Sequence, residues 1–177
     1  YTNFFKNLYL GGLLVPTMFV LVPEFLLLNR MHILDTRVGL VIVYVAFSLS
    51  FTIFVLTAFF RGISKDYEES ALIDGCSYYG ILIKIIAPMA RPAIITVTIF
   101  NFLGLWNEYN FALIVVSSES KRTIPVGLAY LMEVQRYSTD WGALFAGLVI
   151  VMIPTIIVYA LLQNKITSGL NVGGLKG

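Results

Sequence analysis

Charge is what this chain has least of. Of its 177 residues, 12% are Asp, Glu, Lys or Arg, about half the share of a soluble domain. The 12 cations and 10 carboxylates leave a net charge of +2. No basic cluster occurs, which excludes a nucleic-acid surface built on phosphate contacts. Histidine and cysteine occur once each, as His32 and Cys76. A single cysteine forms no internal disulfide. One histidine, with no H-E-x-x-H and no G-x-G-D, leaves no metal set or acid pair for an intramembrane enzyme. The closing Gly173-Gly174-Leu175-Lys176-Gly177 has neither the spacing nor the following helix of a phosphate-binding loop. No catalytic site, metal or cofactor is therefore expected. The opening Tyr1-Thr2-Asn3-Phe4-Phe5-Lys6 lacks the basic region and cleavage site of a secretory signal. It starts with Tyr, so a part of a longer subunit is expected.

What the chain has is apolar length. It is 58% hydrophobic, with a mean hydropathy of +0.85. A membrane-crossing helix needs about 20 apolar residues, and four runs meet that, at about 8–28, 38–60, 93–116 and 141–164. The expected fold is an all-α polytopic membrane protein, one transmembrane domain over 1–177. In the first run Gly11 and Gly12 suit close helix packing, Pro16 and Pro23 kink or end it, and Glu24 falls near its outer end. His32 lies in a short connection as a solvated residue. The second run, Val38 to Phe60, is 23 residues without a charge, about 34 Å at 1.5 Å per residue. A polar outer loop is expected over 117–140, with Leu128, Leu131 and Met132 on a short interfacial helix, and a tail over 165–177. Lys6, Arg61, Lys65, Lys84, Arg91, Lys165 and Lys176 fall on one side, against Arg30, Arg37, Lys121, Arg122 and Arg136 on the other. The excess of seven to five puts the first side in the cytoplasm by a small margin.

One polar stretch interrupts this pattern on the cytoplasmic side, within 61–92. Ser64 can cap a first helix, with Asp66, Glu68 and Glu69 at its positive end. Gly75 reads as a left-handed stop. Ser77 can cap a second helix whose Tyr78, Ile81, Leu82, Ile85, Ile86 and Met89 recur at helical spacing, giving one buried face with Lys84 pointing away. Pro88 and Pro92 break and restart the chain. The expectation is a helix–Gly–helix elbow.

The pattern Glu69-x-Ala71-x-x-Asp74-Gly75, followed by Ile85, Pro88 and Pro92, resembles the EAA loop of ABC importer permeases. Ser70 and Ala87 stand where that pattern has Ala and Leu. Asp74 before the Gly, and Pro92 four residues after Pro88, are most similar to maltose-type carbohydrate permeases. Leu34-Asp35-Thr36, Trp106-Asn107-Glu108, Trp141-Gly142 and the Gly-Gly-Leu-Lys-Gly ending add to the resemblance, which covers the whole chain. The resemblance implies a type I importer permease core, with about a third of the subunit and two more spans ahead of it. It implies a coupling role for Glu68, Glu69, Ala71, Asp74, Gly75 and Pro88, docked on a cytoplasmic ATPase. It also implies a second homologous permease, two ATPase subunits, an extracytoplasmic solute-binding protein, a carbohydrate substrate and a bacterial or archaeal inner membrane. Lys176 and Gly177 are implied as a tail contact.

Polar residues inside spans are costly and therefore functional candidates. Asn101, Trp106, Asn107, Glu108 and Asn110 offer hydroxyl partners and stacking faces along a translocation path. The same residues equally suit bonds between helices. Glycerol phosphate or polyol permeases of the same superfamily are an alternative. An ion-coupled transporter with Glu108 as the carrier is a weaker one, since it gives the elbow no role.

Overall fold

The computed structural model describes residues 2–134 and 140–173, with side chains over 4–133 and 140–163. Every regular element among the described residues is helical. Helices α1 (Thr2–Gly12) and α2 (Thr17–Arg30) meet at 106°. The run at 8–28 is thus two helices rather than one. Pro16 is the cause: it has no N–H for the helix, and its ring keeps Val15 out of the helical region. α1 lies along α3, and Gly12 allows it, because a Cβ there would stand 2.6 Å from the Ser50 hydroxyl oxygen.

The turn into α3 (Arg37–Phe60) is tightly specified. His32 and Asp35 take left-handed φ values of 56° and 52°. Thr36 caps the helix: its hydroxyl accepts from the Gly39 amide at 2.9 Å and donates to the Ile33 carbonyl at 2.6 Å. A Cβ on Gly39 would lie 2.3 Å from that carbonyl oxygen, so only glycine fits. At 24 residues α3 is about 36 Å long.

The elbow follows. α4 (Asp66–Ile73) ends at Gly75, whose φ is +78°. α5 (Tyr78–Ile81) continues through a π-helical turn, Leu82–Ile86, into α6 (Ala87–Met89). The Ala87 amide donates to the Leu82 carbonyl, five residues back. This wider turn accommodates Pro88, which lacks the N–H and crowds the carbonyl four residues earlier. It also sets the two buried isoleucines five residues apart rather than four. Ile81 and Ile86 are buried, whereas Tyr78 and Leu82, expected inside, are exposed. α7 (Arg91–Trp106) then departs at 69°, with Pro92 in its first turn.

The run at 93–116 is also divided: α7 ends at Trp106 and α8 (Asn110–Val115) starts after a three-residue break. A short 3₁₀ turn, Glu119–Lys121, and α9 (Ile124–Val134) occupy the outer stretch. α10 (Trp141–Gly173) carries a 23-residue apolar portion, Trp141–Gln163. By length and composition two helices can cross a membrane, or four if each bent pair counts as one span. α7 packs on α3 and α10, while α9 packs on α10, where a Cβ on Gly147 would press on Leu128 at 2.9 Å. Leu28, Leu40, Val43, Phe111, Val115 and Val126 form a core at the end of the bundle where α2, α3, α8 and α9 meet. Lys176 and Gly177 lie outside the described residues.

Candidate coupling elbow and translocation groove

The elbow is a small hydrophobic joint with a polar rim. Ala71, Ile81 and Ile86 form its centre, wrapped by Ile63, Cys76 and Ile85. Ala71 is 4% exposed, so α4 and α5 approach too closely there for a longer side chain. Ser77 caps α5, accepting from the Gly80 amide at 3.2 Å, and Ser64 accepts from the Asp66 amide at 3.3 Å. Glu68, Glu69 and Asp74 are exposed, as is Pro88. None of the three carboxylates has an ion pair or side-chain hydrogen bond among the described residues. Beside them Ile73 is 86% exposed, and Tyr78 and Tyr79 are 79% exposed. Acidic and large apolar side chains thus share one unpartnered surface.

The polar residues of the third run separate into different roles. Glu108 joins the break between α7 and α8. Its Oε1 accepts from the Phe111 amide at 2.8 Å, and its Oε2 accepts from the Ala112 amide at 3.1 Å and the Tyr44 hydroxyl at 2.9 Å. It caps α8 and ties it to α3. Asn101 donates to Thr52 Oγ1 at 3.0 Å, again linking α7 to α3. Trp106 turns the other way: its indole N–H donates to the Val151 carbonyl of α10 at 3.0 Å, and its ring stacks on Phe102. Asn107 is exposed and donates back to its own helix, at the Leu103 carbonyl. Asn110 is half-buried at the start of α8. Only Asn101 and Glu108 therefore reach the α3–α7 groove. Periodicity in the second run could have revealed their partners, since Tyr44, Ser48 and Thr52 recur every four residues on one face of α3.

A third polar centre lies at the outer end. Asp35 carries its carboxylate across to the segment after α8. It accepts from the Ser118 hydroxyl, the Ser118 amide at 2.9 Å, the Ser117 amide at 3.1 Å and the Lys121 ammonium at 2.9 Å. Its own amide donates to the Val115 carbonyl at 2.7 Å. The hydrogen bonds from Ser118, then the Lys121 ammonium, hold the Asp35 carboxyl well below the usual carboxylate range. This clasp fixes the α2–α3 turn to a loop more than eighty positions away. Arg122 next to it lies over the Tyr130 ring, 3.7 Å from its centre.

Residues 2–171 match the family described as the binding-protein-dependent transport system inner membrane component. The chain is 40% identical over 164 residues to the diacetylchitobiose uptake system permease protein NgcG of Streptomyces coelicolor, covering 93% of this chain and 54% of that protein. It is 33% identical over 162 residues to the sulfoquinovosyl glycerol transport system permease protein SmoH of Agrobacterium fabrum, covering 92% of this chain and 56% of that protein. To the trehalose transport system permease protein SugB of Mycobacterium tuberculosis it is 32% identical, with 97% of this chain and 64% of the relative covered. The chain thus spans between about half and two thirds of the length of these curated relatives. With a family match over nearly its whole length, this chain belongs to the inner membrane permease components of binding-protein-dependent transport systems.

Proposed function

We propose that this chain forms the core of a permease subunit in an ATP-driven, binding-protein-dependent sugar importer. It pairs with a second homologous permease, so that each supplies half of the pathway. The elbow docks on one of two cytoplasmic ATPase subunits, and an extracytoplasmic binding protein delivers the solute to the opposite face. The elbow and the C-terminus then lie in the cytoplasm of a bacterial or archaeal cell. The observation that carries this reading is the elbow itself: Glu68, Glu69 and Asp74, with no partner among the described residues, on a joint centred on buried Ala71 and turned by Gly75. Coupling follows from linkage: ATP closes the ATPase pair, the docked elbows move with it, and the helices switch the face to which they open.

Relatives named for diacetylchitobiose and trehalose transport support a saccharide as the solute. The groove beside Asn101 has no Lys or Arg among its lining residues, which disfavours glycerol phosphate and leaves a neutral polyol as the second reading. Glu108 holds three donors, which disfavours it as an ion carrier. The test uses the full-length subunit co-expressed with its permease and ATPase partners, comparing wild type with Gly75→Asp. The expected result is loss of ATPase co-purification or of sugar-stimulated ATP hydrolysis in the variant, with the permease pair intact. A wild-type permease pair that binds no ATPase would overturn the reading.

A further inference from the structure

Past Gly75 the elbow changes character. Before it, Asp66, Glu68, Glu69 and Asp74 lie along α4 and at its end. After it no carboxylate occurs until Glu108, and the cations of that stretch are Lys84 and Arg91. Both are exposed, with no ion pair or side-chain hydrogen bond among the described residues. Tyr78, Tyr79, Leu82 and Ile83 are each more than half exposed on the same short helix as Lys84. A basic and apolar surface thus follows an acidic one.

The helix in question runs over Tyr78–Met89 through its π-helical turn. At about 18 Å it is too short to cross a bilayer. α7 leaves it at 69° and packs on α3 and α10. Membrane-crossing helices stand on average about 20° from the bilayer normal, so Tyr78–Met89 lies nearer the membrane plane than the normal. Its two sides differ. Ile81 and Ile86 pack with Ala71 of α4. Tyr79 and Ile83, each two residues from Ile81, fall on the opposite face. α4 covers one side, and the other is apolar and uncovered. On α7, Arg91 heads an exposed stripe with Ile94 and Thr98.

Water is a poor neighbour for that side, because four large apolar side chains stand close together on it. Deep hydrocarbon is also poor, because it strands Lys84 and Arg91 without a counter-charge. A protein groove that complements the acids of α4 is mismatched to these two cations. The membrane interface suits both features. Aromatic and aliphatic side chains settle at the acyl boundary, while Lys and Arg reach the headgroups. An anionic leaflet attracts cations held at its surface. Resting on the permease reading above, we infer that Tyr78–Met89 is an anionic-lipid contact of the inner leaflet, with Tyr79 and Ile83 at the acyl boundary and Lys84 and Arg91 on the headgroups. The elbow then has two partners, one on each side of Gly75.

The test is fluorescence quenching in the full-length subunit, purified in its co-expressed complex and reconstituted in lipid, with Cys76→Ser as background. Ile83→Cys carries a fluorophore. The bilayer contains either phosphatidylglycerol or phosphatidylcholine with a nitroxide high on the acyl chain. Co-purification of the partner permease reports that each variant is folded. The lipid contact predicts quenching by both lipids, severalfold stronger from phosphatidylglycerol. Lys84→Gln/Arg91→Gln should abolish that preference, and Lys84→Arg/Arg91→Lys should keep it. Equal quenching by the two lipids in the unsubstituted pair would overturn the headgroup contact. No quenching at all, or quenching that appears only once the ATPase is stripped away, would show that water or the ATPase covers this face, and would overturn it too. Failure of the importer reading appears separately, as absence of the ATPase from the purified complex.

Discussion

The two ends of α3 treat carboxylates in opposite ways. At its start, Asp35 accepts two hydrogen bonds from Ser118, one from the Ser117 amide and an ion pair from Lys121. About 36 Å away, beyond its other end, Glu68, Glu69 and Asp74 have no partner among the described residues. One end uses its acid groups to hold the fold together, and the other leaves them on the surface. Acidic side chains kept on an otherwise apolar chain, with no ion pair or side-chain hydrogen bond among the described residues, are available to another molecule. The lesson is that a polar group here is best judged by whether its own chain already satisfies it.

Breaking the clasp gives the largest expected effect. Asp35→Ala strips the acceptor from four donors at once, and the detergent-solubilised protein should show the greatest fall in melting temperature of this series. Asp35→Asn should retain part of it, since its oxygen can still accept from the Ser117 and Ser118 amides. The pH dependence has a definite sign. The folded Asp35 pKa is depressed, so its contribution is fully present above the unfolded value of about 3.9 and is lost as pH falls below it. The melting difference between wild type and Asp35→Asn should therefore be flat from pH 8 to about 5 and shrink only in more acidic solution.

Next comes Gly39→Ala, which meets the Ile33 carbonyl in the same turn. Moving that backbone should cost about 1–3 kcal/mol, measured by chemical or thermal unfolding. Gly75→Ala is smaller. Nothing lies within 4 Å of the added methyl, so only the left-handed backbone resists it, at about 1–2 kcal/mol. Should the elbow variant unfold the protein as severely as the clasp variant does, the division between the two ends would be wrong.

Much of the elbow is legible in the sequence because its determinants are local. A serine cap, a glycine at positive φ and apolar residues at helical spacing act over a few residues, and each has the expected place. The exception is the π-helical turn at Leu82–Ile86. Regular α periodicity puts Tyr78 and Leu82 inside, and both are exposed; the extra residue that accommodates Pro88 sets buried Ile81 and Ile86 five positions apart. Apolar runs locate the spans but not their breaks. Pro16 indicates a kink and gives no sign that it reaches 106°. Trp106, Asn107 and Glu108 stand together in the chain, and only tertiary contacts send them to α10, to their own helix and to α3. The clasp has the weakest signal of all, since Asp35 and Ser118 are separated by 83 positions and nothing near either one indicates the other.

The most direct measurement of the central contrast is the double variant Glu68→Gln/Glu69→Gln, read by melting temperature and by ATPase co-purification on one preparation. Exposed, unpartnered side chains should change stability by no more than about 0.5 kcal/mol, so the melting temperature should stay at the wild-type value while the ATPase is lost or weakened. A variant that melts far below wild type, or that retains its ATPase in full, would contradict the account.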